Sequence, residues 1–370
     1  MPAPARPVPP LAAVFHLTDR LFWPLAALAF LIGLARNRAD VVARGEWIDL
    51  AWKLAQFNVS YTDFGFLKRG LVGSLLHPVF GVMPDPTAQK WAVLAIDAAL
   101  LVAFLMLARR AIAALEWRAP EWGGWLRVLL LLSPLGVMQW GYDLGRLDHV
   151  NALLLLAALA LLLRGHALAC GLVMAAAVLV HEGALFYALP AVLAAGVLVS
   201  AGRGLPATWA LAAGPAVAAG LLVLAFGNVT DPALIAALDS LGPGASVWQR
   251  AVLEPAGDLS TKNLGLMGLY LAGLAVVFLP PLAALYGWGV AALVMALPLC
   301  LFVLGIDYFR WIHLTGLLAA TALVAGALHR PDIRLPTLRP LPRLALICLA
   351  LPLGPIGITL GLPVVQRTLF

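Results

Sequence analysis

"WAVLAIDAALLVAFLMLA", residues 91 to 108, decides the fold. In hydrocarbon such a run satisfies its backbone only as a helix or in a closed barrel, and the period-2 alternation of barrel strands is absent. The same texture recurs in "ATWALAAGPAVAAGLLVLAFG" (207–227) and "LTGLLAATALVAGAL" (314–328), both long and nearly uncharged. Across its 370 residues the chain is 63% hydrophobic and 11% charged. Its mean hydropathy is +0.96, outside the balance of soluble domains.

A bilayer core takes about 20 apolar residues per helix. The expected fold is therefore an all-α polytopic membrane protein, a single transmembrane bundle over 1–370. Spans are predicted near 18–35, 91–108, 125–140, 149–163, 166–180, 183–200, 207–227, 263–284, 286–304, 311–328 and 343–361, about eleven transmembrane helices. "FGFLKRGLVGSLLHPVFGVM" (64–83), interrupted by Lys68 and Arg69, is predicted to be re-entrant or interfacial. Pro134, Pro190, Pro280, Pro281, Pro298 and Pro352 predict kinks or breaks. The N-terminal stretch has no basic region leading into a short apolar core and a small-residue cleavage site, so the first span is expected to act as the targeting signal. Cys170, Cys300 and Cys348 fall in apolar runs and read as small hydrophobes rather than disulfide or metal positions. The Ala-, Leu- and Arg-rich composition matches a high-GC bacterial gene and points to the plasma (inner) membrane.

Short loops rich in Lys and Arg mark the cytoplasmic side. With alternating spans, 109–127, Arg164, Arg203 and the basic loop 329–343 fall together, and the N-terminus is predicted to lie with them. The long loop 36–90, the turns at 141–149 and 181–182, the loop 228–262 and the turn at 305–311 fall on the other, outer side. Every polar cluster lands there.

The densest pattern occurs twice. "GYDLGRLDH" (141–149) and "GIDYFRWIH" (305–313) both read G-x-D-x-x-R-x-x-H. Steps of three place Asp143, Arg146 and His149, and likewise Asp307, Arg310 and His313, along one helical edge. Either these are interfacial ion pairs beside belt tryptophans Trp140 and Trp311, or they are two anion clamps whose arginine forks grip phosphate while aspartates hold them. In the long outer loop, Glu46 and Asp49 lie three apart on an amphipathic stretch. "YTDFGFLKRG" (61–70) follows with Asp63, Lys68 and Arg69. This loop either touches lipid head groups or carries function. His181 and Glu182, between two apolar runs, suit a proton carrier and a general base, or else a plain hairpin turn. Loop 228–262 reads as a short amphipathic helix, a Gly-Pro turn and a second helix.

There is no Walker loop, dinucleotide fingerprint, H-E-x-x-H or paired-cysteine motif. ATP hydrolysis and nicotinamide chemistry are not expected. No metal ligand set is predicted and no cofactor beyond an optional divalent cation. The net charge of +6 is scattered over loops, not gathered into a nucleic-acid stripe.

In layout the chain resembles the polyprenyl-lipid-dependent membrane glycosyltransferases of the GT-C class. It is also similar to bacterial O-antigen and exopolysaccharide polymerases (Wzy- or EpsG-like), and "DFGFLKRGLVG", "HE" and "DYFRW" look like patterns of that polysaccharide-assembly group. The resemblance implies that an acid of the first outer loop activates the acceptor hydroxyl, a role that Asp49 fits first, then Glu46, then Asp63. It also implies that outer-loop arginines hold the lipid pyrophosphate, which suits Arg146 and Arg310 with Lys68 and Arg69 as helpers. The chain departs from the class in having no plain D-x-D or E-x-D pair just after the first span. The expected activity is glycosyl transfer from a polyprenyl-linked glycan donor at the outer membrane face. Asp49, Asp63 or Glu182 would be the base and His181 a proton carrier. Membrane lipid is the expected surrounding, nucleic acid is not a partner, and the oligomeric state stays open. The alternative is a transporter or flippase for an anionic or lipid-linked substrate.

Overall fold

The computed structural model describes residues 9–36, 51–81, 86–200, 204–241, 246, 261–304 and 307–351, and every element among them is helical. In chain order the helices begin with α1 (Pro9–Arg20), α2 (Phe22–Arg36), α3 (Ala51–Asn58), α4 (Tyr61–Phe64), α5 (Gly70–Phe80) and α6 (Pro86–Glu116). Next come α7 (Pro120–Leu132), α8 (Val137–Tyr142), α9 (Asp148–Leu163), α10 (Ala167–Val180), α11 (Ala184–Tyr187), α12 (Leu189–Val199) and α13 (Leu205–Phe226). The series closes with α14 (Pro232–Asp239), α15 (Thr261–Tyr286), α16 (Trp288–Ala296), α17 (Leu301–Leu304), α18 (Tyr308–His329) and α19 (Pro340–Ala350).

Among the described residues four stretches are long and apolar enough to cross a membrane: Ala88–Glu116, Leu205–Phe226, Gly265–Tyr286 and Tyr308–His329. The pair α1–α2 would add a fifth, bent by 86° at Leu21 where 18–35 was predicted as one span. Shorter apolar helices fill the rest. Leu172, Leu221, Phe226 and Leu269 are more than half exposed, an apolar exterior compatible with burial in lipid.

Two compact units emerge, one formed by Met1–Asn37, Leu105–Asp143 and Pro255–Phe370, the other by Arg38–Phe104 and Leu144–Glu254. In the first unit, Phe15 of α1 meets Trp125 of α7 edge-on at 5.6 Å. Two glycines let α2 and α8 touch backbone to backbone. A Cβ on Gly33 would lie 1.8 Å from the Met138 carbonyl oxygen, and one on Gly141 would lie 2.1 Å from that of Phe30. The glycine that opens the first copy of the repeated motif is thus a packing requirement. Helix α7 stops at Ser133, which adopts extended backbone (ψ 145°) because the residue before a proline avoids helical ψ. The break predicted at Pro134 is there, Pro190 opens α12, and Pro298 falls in a 3-10 turn. Pro280 and Pro281, where kinks or breaks were predicted, lie inside the continuous α15, and Pro352 lies outside the described residues.

In the second unit, α10 packs on α13 at Gly171, where a Cβ would stand 2.2 Å from the Leu211 carbonyl oxygen. The loop segments have their own apolar cluster, in which Ala55, Val59 and Leu67 pack with Val229 and Leu238. Helix α5 spans about 16 Å at 1.5 Å per residue, too short to cross. Its Leu75 and Val79 are 68% and 74% exposed. The first helix predicted in loop 228–262 is α14, capped by the Asp231 side chain, while 247–260 lies outside the described residues.

Candidate functional site

In the second unit the turn between α8 and α9 is held from two sides. Asp97, on α6 and 2% exposed, offers one oxygen at 2.6 Å to His149 Nδ1, while the other accepts the Gly145 N–H at 3.0 Å. A carboxylate oxygen only accepts, which assigns the shared proton to Nδ1. Gly145 has φ +82°, a left-handed conformation that glycine adopts without cost from a Cβ. From α3, buried Lys53 donates to the Leu144 carbonyl at 2.7 Å. Arg146, also buried, sits on the turn so pinned.

The loop from Ser60 to Gly81 forms a second group. Ser60 caps α4, accepting the Asp63 N–H at 3.2 Å and donating to Asp63 Oδ2 at 2.6 Å. The same Oδ2 lies 3.2 Å from His77 Nδ1, and both side chains are 28% exposed. Lys68 is buried, and its backbone N–H donates to the Gly227 carbonyl at 3.0 Å. Arg69 is left-handed at φ 60°, uncommon for a residue with a Cβ, and its guanidinium forks onto Glu182 through contacts of 3.1 and 2.6 Å. Beside it, His181 Nδ1 accepts the Gly183 N–H at 3.0 Å, which places the ring proton on Nε2. Deeper in, the Tyr187 hydroxyl donates to Asp148 at 2.8 Å and accepts from Asn151 at 2.7 Å.

Glu182 stands in the turn between α10 and α11, outside the apolar helices. Burial, the largest single influence, would raise its carboxyl, but the Arg69 guanidinium with His181 and Lys68 together outweigh it and hold the group well below the usual carboxylate range. Because the folded value lies below an unfolded value of about 4.3, the pair's stabilisation is full above that pH and disappears as pH falls through the folded value. Glu182→Gln is therefore expected to lower the Tm of the purified protein by a constant amount from about pH 8 to about pH 5, and by less near pH 3. A Tm difference that grows on acidification would contradict the pairing.

The first unit holds the other sequence candidates. Arg310 pairs with Asp307 one turn apart at the start of α18, and both are buried. His313 Nδ1 meets the Leu135 carbonyl, which makes that nitrogen the donor. Asp143 ends α8 and accepts from Gln139 at 2.5 Å. In the second copy of the motif Asp307 and Arg310 form a direct pair, and in the first copy Asp143 falls in one unit and the Leu144–His149 turn in the other. Arg146 belongs to one unit and Arg310 to the other. Glu46, Asp49 and Gly305 lie outside the described residues.

Contacts within each unit join the segments that alternation put on one side. Loop 51–81 reaches the 144–149 turn, the 181–182 turn and the end of α13. On the basic side, Arg118 donates to the Leu328 carbonyl at 2.9 Å, Trp122 to that of Pro336 at 2.9 Å, and Arg343 to Glu121 at 2.7 Å. Arg127 ties the end of α1 to the same group through Asp19 at 2.6 Å.

Sequence reasoning passed over Asp97, Lys53, Ser60, His77 and Tyr187. For Asp97 the signal was in plain view, as the one acid within the apolar run 91–108. His77 sits in "LLHPVF" with no spacing partner in sequence, since Asp63 is fourteen positions upstream. Among the described residues no three His, Cys, Asp or Glu side chains gather as metal ligands. Comparison with protein-family models, with characterised proteins and with solved structures gave no match.

Proposed function

We propose that the chain is a membrane glycosyltransferase or polysaccharide polymerase that uses a polyprenyl-phosphate- or pyrophosphate-linked sugar at the outer face of a bacterial plasma membrane. In this proposal the shorter apolar helices other than α5, each taken with the apolar residues that flank it, also serve as spans, for about eleven in all, and the N-terminus is cytoplasmic. The observation that supports it best is the half-open Asp63–His77 pair on the loop that also carries Lys68 and Arg69. Asp63 is the described acid of the first outer loop, oriented by Ser60 and near enough to His77 to pass a proton on.

In the proposed step the acceptor hydroxyl oxygen attacks the sugar's anomeric carbon while the bond to the lipid phosphate breaks. The hydroxyl proton goes to Asp63, and cations of the outer segments stabilise the departing phosphate. Asp63→Asn is expected to lower transfer about 100-fold or more without loss of donor binding, a general base being worth at least that much. The check is polyprenyl phosphate released per sugar transferred in isolated membranes. Wild-type turnover in this variant would remove Asp63 from the chemistry.

One observation favours a transporter instead. The Asp97–His149 pair is buried, and Asp97 lies on a helix able to span the bilayer, an arrangement that proton-coupled carriers use. Uptake or flipping of donor without sugar transfer would select that alternative.

A further inference from the structure

The lone acid of the α6 apolar run makes two bonds, and both end on one short turn. Asp97 takes the Gly145 N–H with one oxygen and faces His149 Nδ1 with the other. Residues 145 and 149 bracket Arg146. Lys53 adds a third tie through the Leu144 carbonyl. Burying a carboxylate in a largely apolar helix is costly unless its partners repay it, so this acid is poorly explained as filling. Two charge-assisted bonds onto adjacent parts of one turn fix its register and the direction in which Arg146 leaves it. They also fix the imidazole, since a carboxylate on Nδ1 makes that nitrogen the donor and sets the plane of the ring.

From this we infer that Asp97 is a positioning residue that holds Arg146 in the geometry needed to bind the phosphate of a polyprenyl-linked ligand. The inference rests on the proposed function only for the ligand class. Asp97 touches no substrate in this account, and its influence passes through the 144–149 turn. Two consequences follow. Removing its charge weakens phosphate binding through Arg146, and the loss is not additive with loss of Arg146 itself, because both changes remove the same contact.

The test uses full-length protein in nanodiscs of phosphatidylcholine, with polyprenyl phosphate as the sole anionic lipid and binding read by intrinsic tryptophan fluorescence. Arg146→Ala is expected to weaken binding about tenfold or more, Asp97→Asn by a similar factor, and the double variant no further. Asp97→Glu should recover part of the loss. If Asp97→Asn does not reach the membrane, His149→Asn serves in its place. Its amide still donates to Asp97, so it should bind better than His149→Ala. Additive losses, or wild-type binding in Asp97→Asn while Arg146→Ala binds weakly, would overturn the positioning role and leave the proposed function standing. Wild-type protein that ignores polyprenyl phosphate would overturn both, and that outcome is recognised by Arg146→Ala having no effect.

Discussion

Gly141→Val is expected to prevent the first unit from forming its α2–α8 contact and to cost about 3 kcal/mol or more. The neighbour of the new Cβ is the Phe30 carbonyl oxygen at 2.1 Å, a backbone atom that cannot rotate aside. Gly33→Val meets the Met138 carbonyl at 1.8 Å from the opposite helix and should do the same. A control is available in Gly214, inside α13, whose added Cβ would meet nothing within 4 Å. Gly214→Ala should be neutral or stabilising by up to about 1 kcal/mol, because alanine loses less backbone entropy in a helix. Tm in detergent and the amount of protein in the membrane measure both. A Gly141→Val variant as stable as wild type would mean that α2 and α8 are not in backbone contact.

Arg310→Ala is expected to be the most damaging single removal of charge. Its guanidinium and the Asp307 carboxylate are each less than a tenth exposed, and taking one partner from a buried pair costs about 3–5 kcal/mol. Membrane levels should therefore fall, against the simpler expectation that a substrate-binding arginine can be removed without structural effect. The double change Arg310→Met with Asp307→Leu separates the two roles, because replacing both members of a buried pair with apolar groups is often neutral or stabilising. Restored Tm with no transfer would mark Arg310 as a substrate contact. Restored Tm with restored transfer would leave the pair a purely structural lock.

The hydrophobic runs carried the helical class because backbone satisfaction in lipid leaves so few options, and α6, α13, α15 and α18 stand where the runs at 91–108, 207–227, 263–284 and 311–328 placed them. Boundaries near prolines were legible at Ser133–Pro134 but not at Pro280–Pro281, where α15 continues. The bend at Leu21 did leave a signal that went unread, since Pro24 has no N–H for the Arg20 carbonyl and its ring crowds that oxygen. For the site, pairs close in sequence were visible, as with Asp307 and Arg310 one turn apart. Pairs made by the fold were not. Arg69 and Glu182 are 113 positions apart, and Asp97 and His149 are 52 apart. The repeated motif drew attention to Arg146 and His149, but the residue that holds their turn came from a helix read as plain apolar. Gly141 reads as part of a chemical signature in the sequence and is instead where two backbones meet.

The central claim is that the outer segments around Asp63, Arg69 and Arg146 transfer sugar from a lipid-linked donor. The most direct measurement reconstitutes the purified chain in liposomes, with a radiolabelled polyprenyl-pyrophosphate sugar in the outward-facing leaflet and acceptor glycan outside. The account predicts labelled product outside, polyprenyl pyrophosphate released in equal amount, and loss of both in Asp63→Asn. Labelled donor that crosses intact to the lumen, with no product formed, would contradict it.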